Sequence, residues 1–105
     1  MENRKLTPTE ELVLKRIKKA NASNPVTRAE LCRITGIRDN MVREIIGTLR
    51  DNGYRIVGSA STKGYYLARS EKQYKAFREE YLKKGLTFLN RIKAMDGYTE
   101  GQVSL

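Results

Sequence analysis

Histidine is absent from this 105-residue chain, cysteine occurs once and proline twice. Without an imidazole the commonest general base for a serine or cysteine nucleophile is missing, and so is any histidine metal ligand. No other motif pairs a nucleophile with a base or gathers metal-binding side chains. Glu79 and Glu80 are adjacent, but successive residues of a helix project about 100° apart, so the two carboxylates do not face one another. Enzymatic activity is therefore the least favoured class, and no catalytic residue, cofactor, metal or small-molecule ligand is expected. A single cysteine, Cys32, excludes an internal disulfide, and with nothing to activate it Cys32 reads as a small packed residue. No apolar run reaches the eighteen or so residues that a membrane-spanning helix needs, and MENRKLTPTE contains no apolar signal core. A reducing, cytoplasmic setting is the expectation.

What the chain has in excess is positive charge. Lys and Arg number 21 against 12 Asp and Glu, a formal net charge of +9. Residues 1–69 carry fourteen basic and seven acidic side chains, a net of +7, and residues 70–105 carry seven and five, a net of +2. A cationic surface displaces counterions from a polyphosphate, so this asymmetry favours a nucleic-acid partner for the first two thirds of the chain. Hydrophobic residues make up 39% of the sequence, enough for one modest core with an appendage.

The first helix signal is Thr7-Pro8-Thr9-Glu10, a capping box with proline at the first helical position. Leu12, Val13, Ile17 and Ala20 continue a helical stripe to about Ala22. Lys15, Arg16, Lys18 and Lys19 lie on its polar side, either solvated or touching phosphate. Pro25 ends this segment, and Val26 is placed as a short first strand. Thr27 and Glu30 form a second capping box, Leu31 and Ile34 an apolar face, and Gly36 a helix stop. Val42, Ile45, Ile46 and Leu49 recur at i, i+3, i+4 and i+7, and this helix stops at Asn52-Gly53 with Tyr54 packing back. Tyr54–Val57 and Tyr65–Ala68 read as strands around a small polar loop, residues 58–64.

Two helices across a glycine turn, followed by Leu49-Arg50-Asp51-Asn52-Gly53-Tyr54-Arg55-Ile56 and Gly64-Tyr65-Tyr66-Leu67-Ala68, resemble a winged helix-turn-helix. The likeness is to DNA-binding domains of biotin-repressor type and to small phage or prophage proteins that carry them. It also takes in Asn24–Leu31, Thr35–Ile37 and Val42–Ile46, and spans residues 9–69. It implies a mainly α fold with a small β-wing, double-stranded DNA as partner, and the cytoplasm of a bacterial host. The helix at 39–52 would read the major groove, with Arg38, Asn40, Met41, Arg43, Glu44, Gly47 and Thr48 on or beside its outer face. Arg28, Ser61, Thr62 and Lys63 are the remaining candidate contacts, the last three along the backbone, with Gly58 and Gly64 allowing close approach. Where that family places Ser or Asp after the turn, Arg38 follows Ile37 here. Either Asp39 caps the helix one residue late, the preferred reading, or Arg38 stands at a poorly capped end and reaches for phosphate.

Ser70-Glu71-Lys72-Gln73 is a third capping box. It opens a helical extension over 70–95, with a break or kink expected near Gly85. Its apolar band includes Tyr81, Leu82, Phe88, Leu89, Ile92 and Met95, more than a small domain can cover, and these six are the candidate dimerisation residues. Residues 1–8 and 96–105 read as a flexible arm and tail. Three functions follow: a small DNA-binding transcriptional regulator, a phage-type interaction module that binds a host protein, and a replication accessory DNA-binding protein.

Overall fold

The computed structural model describes residues 5–58 and 64–97. Ser61, Thr62 and Lys63, the first half of the arm at 1–8 and residues 98–105 of the tail lie outside the described residues. Among those described, the order is α1 (Pro8–Lys19), α2 (Arg28–Thr35), α3 (Asp39–Asp51), β1 (Ile56–Val57), β2 (Tyr66–Leu67) and α4 (Glu71–Asp96). The fold is thus mainly helical with one small antiparallel sheet, as expected. No described helix is long and apolar enough to cross a membrane. The chain divides into two compact units, Met1–Tyr74 and Lys75–Leu105.

The first unit is built by local signals that then find tertiary partners. At the start of α1 the Thr7 hydroxyl accepts from the Glu10 N–H at 3.2 Å and the Glu10 carboxylate accepts from the Thr7 N–H at 3.0 Å. The helix stops at Lys19, earlier than the expected Ala22, because Asn21 and Asn24 pair their backbones and the Asn21 side chain accepts from the Asn24 N–H at 2.8 Å. Asparagine competes for backbone groups in this way and turns the chain. Arg69 then covers the exposed helix end, donating to the carbonyls of Lys18 and Ala20, both at 3.0 Å.

Only half of the second capping box forms. The Thr27 hydroxyl accepts from the Glu30 N–H at 3.0 Å, but the Glu30 carboxylate turns to Arg16 at 2.8 Å and ties α1 to α2. Gly36, in the left-handed region at φ 74°, closes α2. At the end of α3 the N–H of Gly53 donates to Arg50 and that of Tyr54 to Leu49, the paired bonds of a Schellman motif.

The sheet is smaller than its sequence signal: Ile56 pairs with Leu67 and Val57 with Tyr66. Val26 is its third member as a single bridge, exchanging bonds with Tyr65 at 3.0 and 2.8 Å. The core lies between α1, α2, α3 and this sheet, with Val13, Ile17, Val26, Leu31, Val42, Leu49 and Ile56 fully buried. Each such aliphatic side chain contributes roughly 1.5–3 kcal/mol on burial.

Gly58 and Gly64 are required by the fold itself. A Cβ on Gly58, at φ 132°, would lie 2.3 Å from the Gly64 carbonyl oxygen, and one on Gly64 would lie 2.4 Å from the Val26 oxygen. Three backbones meet there with no room for a methyl group.

The helix α4 runs unbroken from Glu71 to Asp96, so the break expected at Gly85 is absent. A glycine costs a helix about 1 kcal/mol without removing a hydrogen bond, and Lys83, Lys84 and Leu86 beside it are good helix formers. The third box is also shifted: the Ser70 hydroxyl accepts from the Gln73 N–H, while the Gln73 amide oxygen accepts from Arg69. The first turn belongs to the first unit, since Arg55 pairs with Glu71 at 3.1 Å and lies 4.0 Å from the Tyr74 ring centroid. The first compact unit accordingly extends to Tyr74. No residue of α4 is fully buried.

The crowding at the base of the hairpin gives a direct test. Gly64→Ala should lower stability by about 1–3 kcal/mol, as overpacking does, read as a fall in the urea midpoint with an unchanged slope.

Candidate nucleic-acid interface

The face under consideration is the outer side of α3. Val42, Ile46 and Leu49 are buried and Ile45 is half-buried, which turns Asn40, Met41, Arg43 and Glu44 outward, all exposed. Met41 keeps 49% of its surface in solvent although it is apolar, and nothing in the core needs it. Gly47 and Thr48 are half-buried on the flank, and a Cβ built on Gly47 meets nothing within 4 Å.

Arg38 is the N-cap residue of α3, extended at φ −76° and ψ 159°, and its side chain caps no backbone N–H. The preferred sequence reading, with Asp39 as a late cap, is corrected: Asp39 is the first helical residue, and its carboxylate is engaged by arginines. Oδ1 accepts from Arg28 Nε at 2.8 Å, and Oδ2 accepts from Arg43 at 3.0 Å from Nε and 2.9 Å from Nη2. Exposed Arg38 thus stands at a helix end with a positive dipole and no side-chain cap, where an anion is favoured.

Arg28 is the most constrained of the candidates. Its side chain is 25% exposed and pairs with Asp39 at 2.8 Å. The bond to Tyr65, and after it Asp39, raises the guanidinium pKa above its ordinary value against the opposing effect of burial. At Asp39, partial burial pushes the carboxyl up. The bonds from Arg43 and then Arg28 outweigh that and hold it below its ordinary value. The carboxylate of Asp39 therefore bridges Arg28 at the start of α2 and Arg43 on α3.

The structure brings Arg28, Arg38, Asn40, Met41, Arg43 and Glu44 to one end of α3. It extends the face toward Gly47 and Thr48, and Ser61, Thr62 and Lys63 lie outside the described residues. Sequence reasoning missed two roles. The Asp39–Arg43 pair was legible as an i, i+4 spacing. The role of Arg50 had no signal: its guanidinium donates to the Ile56 carbonyl at 3.1 and 3.0 Å and to the Gly58 carbonyl at 2.8 Å, fastening β1 to α3.

Comparisons with protein-family models, with curated proteins and with solved structures gave no match to this chain.

The depressed carboxyl of Asp39 sets a pH dependence. A carboxylate whose pKa is lower in the folded than in the unfolded state stabilises the fold above its unfolded pKa of about 3.9, and that stabilisation is lost as pH falls through the folded value. Asp39→Asn should therefore lower the thermal midpoint at neutral pH. The gap from the parent protein should narrow on acidification and close below the folded pKa.

Proposed function

We propose that this protein is a sequence-preferring double-stranded DNA-binding protein, a small transcriptional regulator of winged helix-turn-helix type. The observation that carries the reading is the division of α3. Its inner side is sealed into the core, and its outer side presents Arg38, Asn40, Met41 and Arg43 to solvent next to the α2–α3 turn. A helix held this way fits the major groove, and these side chains match base edges by type. Arg43 suits guanine, Asn40 adenine, Met41 the thymine methyl group and Glu44 the cytosine amino group. Arg38 at the helix start takes a phosphate.

The half-buried Arg28 takes a different part from the direct contact expected of it. Held by Asp39, it positions the first turn of α3, and through Asp39 it restricts the rotamers of Arg43. In this reading residues 58–64 would serve as the wing, with Lys63, Ser61 and Thr62 as the backbone-phosphate contacts. The net charge of +7 on residues 1–69 supports the same partner. Two copies would read two half-sites.

Competition binding with a preferred site and random duplex separates the roles. Arg43→Ala should weaken the preferred site more than random DNA. Lys63→Ala should weaken both alike and reduce the salt slope by about one unit. Equal losses on every sequence from both changes would remove base reading by α3. Gly47→Ala adds a third arm, since it stabilises the helix by about 1 kcal/mol into open space. If α3 enters the groove closely there, the variant binds DNA more weakly although it is more stable.

A further inference from the structure

Helix α4 exposes seven large apolar side chains, from Tyr81 at 56% and Leu82 at 49% to Met95 at 66%. In their midst stands Gly85. Its neighbours on the helix surface, at i−4, i−3, i+3 and i+4, are Tyr81, Leu82, Phe88 and Leu89, each about half exposed or more. A Cβ placed on Gly85 would meet nothing within 4 Å. An uninterrupted helix thus carries a notch walled by four apolar side chains, at a residue that costs it helix propensity and that its own fold does not use. Such a notch is a hole for a knob from another helix.

The spacing says which helix. Arg78, Leu82, Gly85, Leu89, Ile92 and Asp96 follow one another at intervals of 4, 3, 4, 3 and 4, the seam of a coiled coil, and all six are exposed. The seam is self-complementary when reversed. If Leu89 of a second copy fills the notch at Gly85, then Leu89 of the first fills the partner's notch. The same register sets Leu82 against Ile92 and Arg78 against Asp96, each twice. The notch and the charges at the ends of the seam are independent features, and both centre the pairing at residue 87. A parallel pair would instead set glycine against glycine and like charge against like charge.

We infer that α4 is an antiparallel self-association helix, in which two copies of this chain pair about residue 87, with Leu89 seated over Gly85 and Arg78 paired with Asp96. Leu82, Leu89 and Ile92 fall on the seam and Tyr81, Leu86, Phe88 and Met95 flank it, so the pairing covers the exposed apolar face of each copy. The pairing uses no residue of α3, and so it stands apart from the DNA reading. Its consequence for that reading is two-fold symmetry, which demands an inverted repeat.

Sedimentation equilibrium on the full chain tests it, with circular dichroism to verify helix content in each variant. The parent protein should sediment at twice its 12.0 kDa. Arg78→Asp and Asp96→Arg should each raise the dissociation constant about tenfold by opposing like charges, and the double exchange R78D/D96R should restore it. Gly85→Leu should fill the notch and weaken the dimer while leaving the helix formed. A chain that remains at 12.0 kDa at about 100 μM, far above a working dissociation constant, overturns the inference and leaves the face to a different protein. A dimer that ignores the single charge changes, or that the double exchange fails to restore, overturns the register. A monomer that still selects a DNA motif defeats this inference alone, whereas a dimer with this register and no sequence preference defeats only the DNA reading.

Discussion

The backbone pairing of Val26 with Tyr65 is the constraint on which the first unit depends. It joins a residue two positions ahead of α2 to the residue just before β2, across nearly forty positions of sequence, through bonds of 3.0 and 2.8 Å. Everything nearby is shaped by it. Gly64 has no side chain because the Val26 carbonyl lies where a Cβ would go, and Gly58 has none because Gly64 and Tyr65 lie there. The Gly58 carbonyl beside this junction accepts from Arg50 of α3, and at the other end of that helix Arg28 holds Asp39. The orientation of the exposed helix face is thus set from the hairpin as well as from the core.

Charge in this protein is divided between support and surface. Arg16, Arg28, Arg50, Arg55 and Arg69 each hold another element: a carboxylate on α2, the first residue of α3, two carbonyls around β1, the opening of α4, and the last carbonyls of α1. Exposed ion pairs of this kind contribute only about 0–1 kcal/mol each, but a guanidinium on backbone carbonyls satisfies acceptors that would otherwise lie unpaired at helix and strand ends. Arginine suits the task because its planar fork serves two acceptors at once. The formal charge of +9 therefore overstates what a polyphosphate would meet, and the location of the exposed cations matters more than their number.

Legibility from sequence followed the range of the interaction. Thr7, Thr27, Gly36 and Gly53 act within four or five residues, and their caps and turns were readable with element limits correct to a few positions. The inward stripe of α3 was readable for the same reason, since a helix repeats every 3.6 residues. Long-range bonds were not. Glu30 was expected to close its own capping box and instead pairs with Arg16, fourteen residues away. Asp39 was expected to cap a helix and instead holds two arginines. The structural need for Gly58 and Gly64 was not legible, because backbone crowding across the sheet leaves no periodic trace. At Gly85 the propensity penalty suggested a break, but one glycine among strong helix formers does not outweigh the turns on either side. Of the candidate site, the exposed face of α3 was legible from its periodicity, while the positioning role of Arg28 was not.

The central claim is that the outer face of α3 reads base pairs. The most direct measurement is selection of bound duplexes from a random DNA pool, with competitor present and salt near physiological. The account predicts recovery of one inverted-repeat motif, lost when Arg43 and Asn40 are replaced by alanine. A folded protein that enriches no motif, while binding all duplexes equally, would contradict it.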